Sequence, residues 1–465
     1  MTAYADFLDR KRHLAAGGGF EPDALPEALY PFQRHLAAWA LRQGRGAVFA
    51  DTGLGKTLVE LAWAEQVARR TGRRVLLLTP LLVAPQVVAE AAKFGIDAAR
   101  SADGRLPDAP IVVANYGRLH RFDPGDFAGL VCDESSVLKD FKAITRAEVT
   151  AFARKLPYRL LATATPAPND WVELGTSSEA LGGLGFMDML DRFFKNDQNN
   201  SETQRVYGQG ARWRFKGHAE EPFWRWVASW AIACRRPSDL GYPDDGFALP
   251  PLTYREHVVA GPPPPGMLFN PAASGMFAVR RERRRLLRER CEAAAALVAD
   301  TGRPAIAWCQ LNAEGDLLEA LIPGAVQIAG RDGDAAKEEK LGAFLAGEAR
   351  VLVTKPTIGA WGLNLQHCAH AVVFPDWSFE QHYQAVRRCW RYGQARGVVV
   401  DVVATEGEAG VRAVLARKQE QYDRMFSRLI AHVHGGEAVA GRGAPALSAA
   451  IPAWLGSDRA EGRAA

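Results

Sequence analysis

At 465 residues the chain is long enough for two or three domains, each with a core of its own. A composition of 48% apolar and 24% charged residues is that of a globular protein, and a net charge of +4 is too slight to argue for or against a polyanionic partner. Six cysteines stand without a single Cys-x-x-Cys pair, which excludes a small disulfide framework and a recognisable zinc motif and makes a reducing cytoplasm the expected compartment.

The opening residues, Met1 to Arg12, mix acids and bases and show no signal-peptide pattern. The longest apolar run, Val75 to Ala92, is broken by Pro80 and Pro85, so it reads as strand, loop and helix start, not a membrane span. A soluble protein with no membrane association is expected. Short apolar runs of strand length then alternate with helically patterned segments. In the first half they are 47–50, 75–79, 111–114, 130–132 and 159–162; in the second half, 305–308, 325–328, 351–354, 371–374 and 398–403. Strands apolar on both faces and separated by helices predict parallel sheets covered on both sides, so two such sets predict an α/β chain with two tandem lobes.

The expected organisation is an N-terminal segment (1–27), a first lobe (28–175), a mainly helical, aromatic-rich insertion (176–250), a linker (251–280), a second lobe (281–434) and a disordered tail (435–465). The linker is drawn around Gly261-Pro262-Pro263-Pro264-Pro265-Gly266, which suits neither a helix nor a central strand. The tail is rich in Gly, Ala and Ser with little to bury.

Two phosphate-handling signatures stand at opposite ends. Ala50-Asp51-Thr52-Gly53-Leu54-Gly55-Lys56-Thr57 follows an apolar strand and opens a helical pattern. Its glycines, Gly53 and Gly55, permit a tight turn whose N–H groups, with that of Thr52, point at phosphate oxygens. Lys56 supplies charge to the outer phosphates, and the Thr57 hydroxyl can ligate Mg2+. The usual pattern has Gly where this chain has Ala50. Downstream, Asp133 and Glu134 end a strand, placing one carboxylate to hold the Mg2+ and the next to orient an attacking water; a helix cap is the plainer reading of that pair. Thr163 and Thr165 follow the next strand and could relay the state of those carboxylates, or simply form a turn closed by Pro166.

The second signature, Gln384-Ala385-Val386-Arg387-Arg388-Cys389-Trp390-Arg391-Tyr392-Gly393-Gln394, offers Arg388 and Arg391 three residues apart. On a helix they would share one face and could reach phosphates from another domain; a solvated basic face is the plainer reading.

The order of these segments resembles superfamily 2 helicases, and their wording resembles the Swi/Snf-like, DEAD/DEAH-box-like branch. Tyr30-Pro31-Phe32-Gln33 is similar to that branch's adenine-reading motif, with Gln33 as base reader. Leu78-Thr79-Pro80 and Asn115-Tyr116-Gly117 are similar to its nucleic-acid-facing motifs, as are Trp308-Cys309-Gln310, Gly359-Ala360-Trp361-Gly362-Leu363-Asn364-Leu365 and Asp376-Trp377. The insertion and Thr165-Pro166-Ala167-Pro168-Asn169-Asp170 resemble bacteriophage and prophage versions, hence a bacterial or phage-infected cell. The resemblance spans residues 28 to 405. It implies two RecA-like lobes, Mg-ATP hydrolysis with Arg391 as the finger, coupling through Gln384, and translocation on duplex DNA by a monomeric engine, in the company of replication, recombination or phage proteins. It assigns nucleic-acid contacts to Thr79, Asn115, Gln310, Gly362 and Asn364. One departure is Ser136, where the family usually has the His that couples hydrolysis to nucleic acid.

Arg212-Trp213-Arg214-Phe215-Lys216 interleaves cations with aromatics, so Arg212, Arg214 and Lys216 are further candidates for phosphate contact. Phe223, Trp226, Val227 and Trp230 recur at helical spacing, which reads as core. The run from Arg280 to Arg290 is the densest in cations and is either a DNA-backbone face or a solvated helix. Three functions compete: a DNA-stimulated translocase, a strand-separating DNA or RNA helicase, and a low-turnover nucleotide-gated DNA scaffold suggested by Ser136.

Overall fold

The computed structural model describes residues 18–139, 143–196, 213–262, 276–359 and 363–440. All ten expected strands form. β1 (Arg45–Ala50), β2 (Arg74–Thr79), β3 (Ala98–Arg100), β4 (Ile111–Asn115), β5 (Phe127–Asp133), β6 (Tyr158–Ala162) and β9 (Ala231–Cys234) make one sheet in the order β3-β4-β2-β5-β6-β1-β9. β10 (Leu252–Val259), β11 (Ala305–Trp308), β12 (Ala325–Ile328), β13 (Val351–Thr354), β14 (His370–Val373) and β15 (Val398–Thr405) make the other, in the order β10-β15-β14-β11-β13-β12, while β7 (Phe194–Asn196) and β8 (Trp213–Phe215) form a separate antiparallel ribbon. Every pairing in these two sheets is parallel. The protein is therefore an α/β chain of two parallel-sheet lobes, and because the strands are parallel their carboxyl ends collect on one edge of each sheet.

Three boundaries differ from expectation. Ala231–Cys234, assigned to the insertion, pairs with β1 and closes the first sheet at that edge. The insertion is thus a detour in lobe one: its helix Glu220–Ala228 buries Phe223, Trp224 and Val227 in the same apolar cluster as Phe49 and Leu76. Leu252–Val259, assigned to the linker, pairs along its whole length with β15 as an exposed edge strand. Its polar face conceals it from a search for doubly apolar strands. The last helix runs from Ala409 to Ala440, into the stretch expected to be tail. Among the described residues no helix is long and apolar enough to cross a membrane. The proline run is described only to Pro262.

The cationic run 280–290 is divided between the interior and the surface. Arg290 is fully buried, bonds Glu314 at 2.7 Å and lies over the Phe374 ring at 4.3 Å. Arg283 bonds Glu408 at 2.7 Å, and Arg285 bonds Glu282. Arg280, Arg281, Arg284 and Arg288 remain exposed. Arg283 and Arg290 thus neutralise lobe-two carboxylates, and the exposed arginines are the ones left for either a DNA-backbone face or a solvated helix.

Helix 409–440 follows the last strand of lobe two but packs its residues 422–429 into the core of lobe one. Met425 and Phe426 are wholly buried there, and the Tyr422 hydroxyl donates to the Ala164 carbonyl at 2.7 Å. Arg235 of lobe one lies over Tyr422 and Phe426 and bonds Asp423 at 2.7 Å. A single helix thus straps the lobes together. Phe426→Ala should cost about 3–5 kcal/mol in a denaturant titration, because it empties a packed site at the lobe junction. A loss under about 1 kcal/mol, the range of an ordinary surface change, would show that the helix is not part of that core.

Candidate active site at the lobe junction

Parallel register brings the functional segments together before any side chain is considered. Asp133 ends β5 opposite Ala162 of β6, and Thr79 ends β2 opposite Asn115 of β4. β1 runs directly into the glycine turn. Gly53 and Gly55 have φ of 89° and 72°, values that a side chain resists, and Gly55 starts helix Lys56–Thr71 with no side-chain cap. The donor capacity of that helix start is left for an anion. A Cβ on Gly55 would collide with the Gln33 amide. One on Gly53 would come within 3.0 Å of the Tyr392 nitrogen and 3.4 Å of the Arg391 Cβ. The glycine turn and the arginine segment therefore face each other across one cleft, with a tight fit at Gly53.

Lys56 Nζ donates to the Ala50 carbonyl at 2.9 Å and to that of Asp51 at 3.3 Å, so its ammonium lies under the turn. Burial lowers its pKa, while Glu134, Asp133 and Glu60 oppose that shift. Gln33 is held on both sides of its amide: Nε2 donates to the Leu54 carbonyl at 2.8 Å and Oε1 accepts from the Tyr30 N–H at 3.0 Å. Each amide atom retains one unused hydrogen-bonding position. Thr57, in the first turn of the helix, is half-buried.

The two carboxylates sit deeper. Asp133 Oδ2 accepts from the Thr79 hydroxyl at 2.8 Å, and burial, reinforced by the charge of Glu134, pushes its pKa up to about 6. Glu134 is the one described non-glycine residue with positive φ, at 53°, a strained turn that aims its carboxylate back into the cleft. Thr79 was expected to face nucleic acid. It is wholly buried and orients Asp133, because the two residues end neighbouring parallel strands in register and so lie on the same face of the sheet.

From Glu134 a ring of contacts crosses the lobes. The Thr163 hydroxyl donates to Glu134 Oε2 at 3.2 Å and accepts from the Thr165 N–H at 3.0 Å. The Thr165 hydroxyl accepts from Gln384 Nε2 of lobe two at 3.2 Å. Gln384 Oε1 accepts from Arg388, whose guanidinium stands 3.9 Å from Glu134 Oε1. Arg388 also donates to the Leu363 carbonyl at 3.2 Å, and burial lowers its pKa against the pull of Glu134 and Asp133. Arg391 donates to the same carbonyl at 3.4 Å, keeps a buried Nε without a partner, and is pushed down to about 10 by burial and by Arg388.

The helix carrying the arginines ends at Arg387, so Arg388 and Arg391 do not share a helical face. They lie on a turn stitched by the Gln394 amide, which donates to the carbonyls of Gln366, Cys368 and Cys389. The turn folds the guanidinium groups back onto the Leu363 carbonyl. The Ser136 hydroxyl is buried without a partner, as is that of Ser135.

The remaining nucleic-acid candidates scatter. Asn115 and Gln310 are half-buried, and Gln310 Nε2 donates to the Phe374 carbonyl at 3.2 Å; Asn364 is exposed. Arg214 is half-buried on a short antiparallel ribbon, and Lys216 is exposed and bonds the Asp191 carbonyl. Gly362 and Arg212 lie outside the described residues. Four participants were not singled out from the sequence: Asp51, Tyr383 and Arg387, which join the lobes beside the turn, and Glu60, one helical turn after Lys56. Glu60 is buried with neither oxygen bonded, and its pKa is raised well above the ordinary value by burial and by Asp133. The signals were an acid directly before the turn, an Arg-Arg doublet and an acid at i+4 from the lysine, all common patterns without tertiary context.

No protein-family model matches the chain, and no curated protein matches it. Among solved structures, the Sulfolobus solfataricus SWI2/SNF2 ATPase core in complex with dsDNA is similar over 90% of this chain and 98% of that one. The sequence identity is 17% and the TM-score 0.40.

A desolvated carboxylate pair next to a hydroxyl-bearing helix start fits a divalent cation: Asp133 and Thr57 are the residues that would hold Mg2+, which would neutralise charge on phosphate oxygens. Without it the pair is costly. A carboxyl group whose pKa is raised disfavours its charged form, so the penalty is present above about pH 6 and fades as Asp133 takes up a proton below it. Asp133→Asn should therefore stabilise the ligand-free protein by about 1–3 kcal/mol at pH 8 and by about half as much at pH 5, read by thermal or denaturant unfolding. Equal effects at both pH values would show that Asp133 is not the strained carboxylate.

Proposed function

We propose that the chain is a nucleic-acid-dependent ATPase that hydrolyses Mg-ATP to ADP and phosphate and uses lobe closure to move along duplex DNA. The observation that carries this reading is the packing of Arg391 and Tyr392 against Gly53, with Arg388 beside Glu134, so that both halves of a phosphate site meet at the lobe junction.

In this reading the base is read by the unused N–H and lone pair of the Gln33 amide, and the phosphates lie along the glycine turn and helix start. Lys56 gives up its carbonyl contacts to the outer phosphates. Glu134 orients the attacking water and accepts its proton. Arg388 and Arg391 stabilise charge developing on the transferred phosphoryl group, in a site dry enough for such contacts to count. Cleavage and phosphate release remove the anion that both lobes grip, which loosens the ring through Thr163, Thr165 and Gln384 and lets the lobes part. Asn115, Gln310 and Asn364, in or beside loops that follow strand ends, are the proposed contacts to the track, whose identity as duplex DNA rests on the resemblance of these motifs. Closure of both lobes within one chain supports a monomeric engine.

The test is ATPase rate with duplex DNA, single-stranded DNA, RNA or no nucleic acid. Duplex DNA should stimulate most. Lys56→Ala and Glu134→Gln should abolish hydrolysis with the fold intact by circular dichroism. Arg391→Ala should lose about 10³-fold or more in kcat, the usual worth of an arginine finger. Near-wild-type turnover in Arg391→Ala would overturn the split site, and stimulation by RNA alone would overturn the track.

A further inference from the structure

Arg387 stands outside the ring around Glu134, yet it is as deeply buried as Arg388. Its guanidinium donates from Nη2 to Asp51 Oδ2, from Nε to the Tyr383 hydroxyl at 3.2 Å and from Nη1 to the Trp390 carbonyl at 3.4 Å. The group also lies over the Trp390 ring at 4.7 Å. Across the junction, Asp51 Oδ1 accepts from the Tyr383 hydroxyl at 2.5 Å and from the Thr52 N–H at 2.7 Å. The Asp51 main chain is engaged as well. Its carbonyl accepts from Lys56 Nζ, and its N–H donates to the Cys234 carbonyl at 3.0 Å. One carboxylate of lobe one is therefore built into the glycine turn on one side and gripped by two lobe-two side chains on the other.

We propose that Asp51, Tyr383 and Arg387 form a positioning clamp that holds the cleft closed and sets Arg388 and Arg391 in register with the glycine turn. Three observations support it. Arg388 and Arg391 sit on a turn, so no helix fixes their placement; the turn is anchored by Gln394 at one end and by Arg387 at the other. The ion pair joins one lobe to the other, so it exists only while the lobes are closed. Both partners are desolvated, so removing either leaves a buried charge without its counterpart, and the two are strongly coupled. None of the three side chains touches the transferred phosphoryl group in this scheme. They act through the turn they hold and are positioning residues. The catalytic consequence rests on the proposed hydrolysis, and the structural consequence does not.

The test therefore has two arms. Dyes placed on Asp126→Cys and Ala320→Cys, exposed positions on opposite lobes, report the interlobe distance without nucleotide; the six native thiols are all buried. Arg387→Gln, Asp51→Asn and the milder Tyr383→Phe should each lower energy transfer, and Asp51→Asn/Arg387→Gln should lower it no further than the worse single variant. In the second arm, with saturating duplex DNA, each charge variant should lose about tenfold or more in kcat, with KM for ATP changed by less than about threefold. The double variant should again be no worse than the worse single. Unchanged energy transfer in both single variants, or losses that add in the double, would overturn the clamp. A wild-type protein that hydrolyses no ATP would overturn the proposed function, and the distance arm would still decide the clamp.

Discussion

Lys56, Asp133, Glu134 and Arg388 share a cleft that excludes most water, and the burial that perturbs Lys56, Asp133 and Arg388 is the constraint on which the rest of the structure depends. Charges in such a place are tolerated only when each has a partner at short range. Within lobe one the balance is unfavourable, with Asp133, Glu134 and Glu60 set against one lysine. Lobe two supplies the missing cation through Arg388. Closure of the lobes is thus an electrostatic completion as much as a packing event, and it makes the cleft sensitive to any ligand that changes its charge.

In the proposed function a nucleotide with its metal would bring several charges of both signs into that balance, and hydrolysis would change them again. The ring from Glu134 through Thr163, Thr165, Gln384 and Arg388 is well placed to register the change, since every link is a single hydrogen bond or a near ion pair and two of its members belong to the other lobe. Around it the junction is tied at several further points. Lys139 bonds Glu380, Arg100 bonds Glu338 at 2.8 Å, Arg118 lies 3.7 Å from Asp334, and helix 409–440 docks on lobe one. The half-exposed pairs among these are worth little individually and weaken with salt, whereas the buried contacts beside the glycine turn are the ones whose loss is costly.

The strands of both sheets were legible because doubly buried parallel strands must be apolar along their length, as Val75–Thr79 and Val351–Thr354 are. The missed strands are short, polar on one face or remote from their partner in the chain. Ala98–Arg100 is three residues long, Leu252–Val259 is polar on its exposed face, and Ala231–Cys234 is apolar but separated from its partner β1 by the insertion. Of the candidate site, the glycine turn and the Asp-Glu pair could be picked out from local spacing, because their residues are consecutive in the chain. The arginine helix could not. Its end at Arg387 is decided by Gln394 and by carbonyls of a loop some 26 to 28 residues earlier in the chain. The same holds for Asp51 and Arg387, 336 residues apart, and for Thr79, whose inward turn depends on where β5 ends.

The account stands or falls on whether one nucleotide touches both lobes at once. Photocrosslinking with ATP that carries a reactive group on its terminal phosphate, followed by peptide mapping of the full chain, reads this directly. Label should appear on the segment 51–57 and also on the segment 388–392. Label confined to the first segment, with the arginine turn unmodified under conditions that support turnover, would contradict a site shared between the lobes.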